Sequence, residues 1–183
     1  MWKFNEVSED HQKLLNKGII DIATDNIDGE AAIYVRQSLH ILTTMDTPDI
    51  TLIITSDGGE VEAGLAIYDM IRLYPGKVTG RVVGYARSMA VIILQACDVR
   101  ECTQHSLIKI HNILRDKVSL SSLRSKHKLD KLYKDMECRQ ASLYRVLSQR
   151  SGQSISSVRK ACGKEENWTA AEALRFGLID KIV

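Results

Sequence analysis

Apolar positions along the chain change period several times, and each change marks an element. Residues 18–23 read as a short apolar strand after a polar opening segment. Asp28 then offers an N-cap, and apolar residues recur on one helical face from Ala31 to Met45. Thr47, Pro48 and Asp49 punctuate. Thr51, Leu52, Ile53, Ile54 and Thr55 follow as a short, β-branched run of the kind a buried strand needs. Gly58 and Gly59 break it, residues 61–74 take up helical spacing, and Pro75-Gly76 stops them. Residues 78–84 read as a second strand of this series, residues 88–96 as a short apolar helix, and residues 106–111 as a third strand. Strand and helix alternate throughout, which predicts an α/β layer built on a largely parallel sheet.

The stretch 120–150 follows another rule. It is rich in Lys, Arg, Leu and Ser, with apolar residues at Leu129, Leu132, Tyr133, Met136, Leu143, Val146 and Leu147. This spacing predicts one long amphipathic helix, its basic face in solvent or its length against a second copy. Residues 154–183 read as two short helices and a closing strand.

Composition narrows the function classes. With 183 residues, 44% hydrophobic and 26% charged, the chain suits one domain over residues 1–183. A net charge of +2 gives no electrostatic reason to expect nucleic acid or a membrane surface as partner. Apolar runs fall short of the roughly 20 residues of a spanning helix, and the opening residues carry no secretory pattern. Cys97, Cys102, Cys138 and Cys162 form no CxxC pair and no zinc spacing, so we expect free thiols, a cytoplasmic location, and neither metal nor cofactor.

The candidate chemistry is acyl transfer. A serine hydroxyl needs a base within hydrogen-bond reach, a group that orients the base, and donors for the developing oxyanion. Ser88 lies between a strand and an apolar helix, where backbone N–H groups point toward a reacting atom. Alone, that position equally suits an N-cap serine. Gly58-Gly59 sits at another strand-to-helix turn and permits close backbone approach, though it also suits an ordinary turn. His111 ends a strand and is the natural base near neutral pH.

Four segments resemble the ClpP family in order and approximate spacing from about residue 50 to residue 183, apart from the middle helix region. Ser56-Asp57-Gly58-Gly59-Glu60-Val61 resembles its S-P-G-G-x-V turn, and Gly84 to Met89 its G-x-A-A-S-M nucleophile segment. Lys109-Ile110-His111-Asn112 resembles its M-I-H-Q segment. Thr169-Ala170-Ala171-Glu172-Ala173 and Phe176-Gly177-Leu178-Ile179-Asp180 resemble its S-A-x-E-A and Y-G-L-I-D ending.

The resemblance implies a ClpP/crotonase-type spiral of ββα units, with residues of about 118–150 as a protruding handle. It implies Ser88 as nucleophile, His111 as base, and the N–H groups of Gly59 and Met89 as oxyanion hole. It places Glu165 where the family has the orienting aspartate, with Glu166 as the neighbouring alternative. By the same resemblance the substrate is a peptide or unfolded protein, and the assembly a homo-oligomeric ring, a heptamer or stacked rings. A Clp ATPase is the implied partner. The alternatives are a catalytically weakened or inactive ClpP-like subunit with a structural or regulatory role in a mixed ring, and a crotonase-type acyl-CoA enzyme.

The chain departs from the pattern at several points. Asp57 stands where the family has proline, Arg87 where it has a small residue, and Asn112 where it has glutamine. After His111 the family's glycine-containing strand, which pairs with substrate, is replaced by residues 113–119 without glycine. The family's long N-terminal axial segment has no evident counterpart.

Overall fold

A computed structural model describes residues 9–114 and 118–183. The expectations for the N-terminal segment and for Arg115, Asp116 and Lys117 lie wholly or partly outside the described residues. Helix α1 (Glu9–Leu15) leads into strand β1 (Ile19–Ala23). Helix α2 (Gly29–Thr44) starts where expected, because the Asp28 carboxylate accepts from the N–H groups of Glu30 and Ala31 at 2.9 and 3.1 Å. Strand β2 (Ile50–Ser56) alternates buried and half-buried positions, and α3 (Val61–Leu73) follows the glycine pair.

Strand β3 (Val78–Arg87) is longer than its apolar run suggested. Its first part pairs in parallel with β4 (Val99–Cys102), and its last three residues pair with β5 (Leu107–Lys109). Between them the register against β2 shifts, from Ile54 opposite Val82 to Ser56 opposite Ala86. Gly84 takes the irregularity at φ +82°, and the Thr55 hydroxyl donates to the Val83 carbonyl at 2.6 Å. The strand thus bends at Gly84 rather than ending there. It delivers Arg87 and Ser88 to the head of α4 (Met89–Leu94), all six of whose residues are buried.

The remaining elements are α5 (Leu120–Arg124), α6 (Lys126–Ser151), α7 (Ile155–Lys164), β6 (Trp168–Thr169), α8 (Ala170–Phe176) and β7 (Lys181–Ile182). The sheet runs β1-β2-β3-β4-β7, all parallel, with β5 beside the end of β3 and β6 antiparallel to β5. This mixed α/β architecture is the one the resemblance implies.

The long helix is broken once. Ser125 is extended at ψ 111° and its hydroxyl accepts from the Lys128 N–H, so it ends α5 and caps α6. In α6 burial begins only at Leu143, Tyr144 and Leu147, and contact with the body starts at Arg139, which donates to Glu62 of α3, so about the first three turns project. Strand β4 was not anticipated, because charged Arg100 and Glu101 interrupt its apolar pattern. Both are nonetheless buried. Glu101 lies between Arg81 at 2.6 Å and Lys181 at 2.8 Å, and Arg100 pairs with Asp180 at 2.5 Å.

Candidate active site

Ser88 is held in an unusual backbone conformation, φ +53° and ψ −123°. Such a conformation in a non-glycine residue costs about 1–3 kcal/mol and persists only where the surroundings fix it. Here they do. The Ser88 N–H donates to the Lys109 carbonyl at 2.9 Å, continuing the β3–β5 ladder past its last pair. On the other side Gly58, at φ +96°, lies against it. A Cβ at Gly58 would sit 2.6 Å from the Ser88 Cβ and 2.9 Å from the Met89 nitrogen.

Gly59 is fixed from behind. The segment bridges to Ile27, whose N–H donates to the Gly58 carbonyl and whose carbonyl accepts from the Glu60 N–H, both at 2.7 Å. That bridge leaves the Gly59 N–H out of its pairing. The Met89 N–H opens a helix and so has no intrahelical acceptor.

Ser88, Met89, Gly59 and His111 share one cleft of about 560 Å³. Ile92, Ile110, Leu143 and Leu147 supply its apolar lining, and Asn26, Glu60, Asn112 and Gln140 its polar lining. His111 is half-buried, and its Nδ1 donates to the Asn112 carbonyl at 2.6 Å. This bond leaves Nε2 as the unprotonated nitrogen of the neutral ring. The segment behind it is tied to α6. Tyr144 Oη donates to Asn112 Oδ1, and the Ile113 N–H donates to Gln140 Oε1, both at 2.6 Å. Burial, and then the neighbouring Cys162, push the Tyr144 phenol up, so it remains a donor.

No hydrogen bond joins Ser88 to His111 among the described residues. Glu165 stands apart: it ends α7 in the left-handed region at φ +54°, is exposed, and does not line the cleft. Glu166 lies 3.7 Å from Lys164 and borders a separate depression beside Trp168. The structure thus brings four of the five expected site residues together and leaves the carboxylate outside. Asn26, Gln140 and Tyr144 were not anticipated, since each reaches the site from a distant part of the sequence. Among the described residues, no cluster of three or more His, Cys, Asp or Glu side chains is arranged to hold a metal ion. No helix there is long and apolar enough to cross a membrane.

Comparison with known proteins gives one consistent answer. A family model described as Clp protease matches residues 3–183. A protein of Protochlamydia amoebophila named ATP-dependent Clp protease proteolytic subunit 1 is 32% identical over 163 residues, covering 87% of this chain and 78% of that protein. Proteins of Synechococcus sp. and Parasynechococcus marenigrum, each named ATP-dependent Clp protease proteolytic subunit 3, are 33% identical over 167 residues. Each match covers 90% of this chain and 82% of the relative.

Proposed function

The chain belongs to the Clp protease family, and from that membership we propose that it is a serine endopeptidase acting by acyl transfer. The observation that carries this reading is the shared cleft, lined by a conformationally constrained Ser88, by His111, and by Gly59 and Met89. Ser88 Oγ attacks the scissile carbonyl as His111 Nε2 takes its proton. The carbonyl oxygen becomes an oxyanion, and the Gly59 and Met89 N–H groups receive it. Collapse breaks the C–N bond, and His111 passes its proton to the departing amine. Water, activated by the same nitrogen, then releases the acyl group from Ser88. The apolar lining from Ile92, Leu143 and Leu147 suits an apolar side chain beside the scissile bond.

Ser88 Oγ and His111 Nε2 have to come within hydrogen-bond reach on substrate binding or assembly for the proton to transfer, since catalytic hydrogen bonds often tighten only in the complex. The orienting role is proposed for Glu165 on the family pattern. The Asn112 carbonyl, which holds Nδ1 in this conformation, is its competitor. The apolar side chains of Leu120, Leu123, Leu129 and Tyr133 on the projecting helices are exposed, which favours docking of a second copy there and an oligomeric chamber. A Clp ATPase belongs to this reading as the partner that delivers unfolded chains.

A second reading, a subunit without activity in a mixed ring, draws on the absence of a Ser88–His111 bond and the position of Glu165. A fluorophosphonate probe separates the two. Labelling of the wild type, lost in Ser88→Ala with assembly intact, is the expected result, and an unlabelled wild-type assembly overturns the peptidase reading. Glu165→Gln is expected to lower kcat by at least tenfold. An unchanged rate would transfer the orienting role to the Asn112 carbonyl.

A further inference from the structure

Two departures from the family pattern, thirty positions apart, meet in space. Arg87 precedes the nucleophile, and Asp57 precedes the glycine pair. Arg87 Nη1 lies 2.5 Å from Asp57 Oδ1. The same guanidinium donates through Nε to Asn167 Oδ1 at 3.2 Å and lies over the Tyr85 ring at 4.7 Å. Tyr85 in turn donates to Asp25 at 3.4 Å. One side chain therefore ties together the turn carrying Gly59, the strand carrying Ser88 and the loop following Glu165.

We propose that Arg87 is a positioning residue for the peptidase reaction, clasping the oxyanion turn and the 165–167 loop onto the nucleophile strand through Asp57 and Asn167. The inference rests on the serine-peptidase reading. Its physical basis is a substitution of constraints. Proline fixes φ before a turn, and Asp57 gives up that restriction. The lost stiffness is replaced by a charge-assisted bond from the adjacent strand. Arginine suits the task because its planar fork serves two acceptors at once while its face stacks on an aromatic ring; lysine offers a point charge only. Arg87 does not line the cleft, so it acts through the segments it holds and not on substrate. The distance between the Gly59 N–H and Ser88 Oγ decides how well the oxyanion is received, and small misplacements there cost large factors in rate.

An ion pair on a surface usually contributes little. The Arg87 and Asp57 side chains are 32% and 48% exposed, so salt should screen this one. That gives a readout a purely structural role would not move. The experiment uses the assembled full chain, a fluorogenic peptide for kcat and KM, and a fluorophosphonate for the rate of Ser88 labelling. Arg87→Ala is expected to lower both kcat and the labelling rate about tenfold, with KM within about twofold, the pattern of a contact that matters in the transition state. Asp57→Asn should reproduce most of the loss, and the double variant should be no worse than Arg87→Ala, since contacting partners are non-additive. Arg87→Lys should fall between. Wild-type kcat should decrease as NaCl rises, and that of Arg87→Ala should stay flat.

A kcat and labelling rate of Arg87→Ala within twofold of wild type would overturn the proposal, as would strictly additive losses or a loss confined to KM. Should Arg87→Ala fail to assemble, Asp57→Asn and Arg87→Lys carry the same decision. If the wild type itself is not labelled, the peptidase reading falls and takes this one with it. If it is labelled and the variants match it, only the clasp is lost.

Discussion

Ser88 and His111 face the same cleft, yet the chain holds them by different means. The nucleophile wall, named for the role proposed for Ser88, is backbone packed on backbone: the β3–β5 ladder, the Gly58 turn against Ser88, and the Ile27 bridge behind Gly59. The base wall has left the sheet. His111, Asn112 and Ile113 are anchored by single side-chain bonds from Tyr144 and Gln140 on α6. Steric contacts of the first kind cannot be varied without moving the core. Bonds of the second kind can be made and broken one at a time. Ser88 is therefore preset by folding, whereas His111 is set by how α6 sits. If a second copy docks on the exposed part of α6, as proposed, assembly has a short physical route to His111.

The largest expected effect comes from attacking the preset wall. Gly58→Ala forces an L-residue to φ +96° and places its Cβ 2.6 Å from the Ser88 Cβ, with backbone atoms as the next neighbours. Strain and overpacking together should cost about 2–5 kcal/mol. Thermal unfolding should show a drop in Tm, and fluorophosphonate labelling should fall at least a hundredfold in whatever material remains folded. Full labelling at an unchanged Tm would mean that the turn yields easily and that the two walls do not differ.

That wall was also the more legible in the sequence. Gly58-Gly59 and Ser88 each stand at a strand-to-helix junction, and local pattern finds junctions well. Asp28 and the alternation of β2 were readable for the same reason. Local pattern could not show that β3 continues past Gly84, because the continuation depends on a bulge against β2 and on pairing with β5. Strand β4 was hidden by Arg100 and Glu101, charges that become tolerable in a core only through Asp180, Arg81 and Lys181 far along the chain. The base wall suffered most from this limit. Gln140 and Tyr144 are 27 and 32 residues from the groups they hold, and inside an amphipathic helix neither carries a mark of its role. Asp57 and Arg87 were each visible as departures, but their pairing needs the register of β2 against β3.

An intermediate effect is expected from the base wall. Tyr144→Phe removes the bond to Asn112 Oδ1 while keeping the ring in its buried place. One such bond contributes about 1 kcal/mol net, so Tm should move by only a few degrees. If that bond helps fix the Asn112 carbonyl beneath His111 Nδ1, kcat should fall about three- to tenfold with KM nearly constant. The residual rate should respond to assembly more steeply than that of wild type, because less else holds the base. A kcat equal to wild type would show that the α6 tether is incidental to the base.

The smallest effect is also the cleanest comparison, because the cysteines report on both regions. Cys97 is fully buried beneath β3, where a Cβ at Gly80 would sit 2.6 Å from its Sγ. Burial, and then Asp98, push its thiol up to about 12. Burial likewise pushes Cys102 and Cys162 to about 11. At pH 8 a thiol titrating near 12 is ionised in about one molecule in ten thousand, and the sheet blocks the reagent as well. Cys138 is exposed on α6. Maleimide should therefore modify one thiol per folded, unassembled chain rapidly, at Cys138. The order of the slower reactions is the sharper test. Cys162 lies on α7 against the anchored end of α6, so its modification ahead of Cys97 would show that the helical side opens before the sheet does. Modification of Cys97 as fast as Cys138 would show that the packing around the nucleophile wall is not locked.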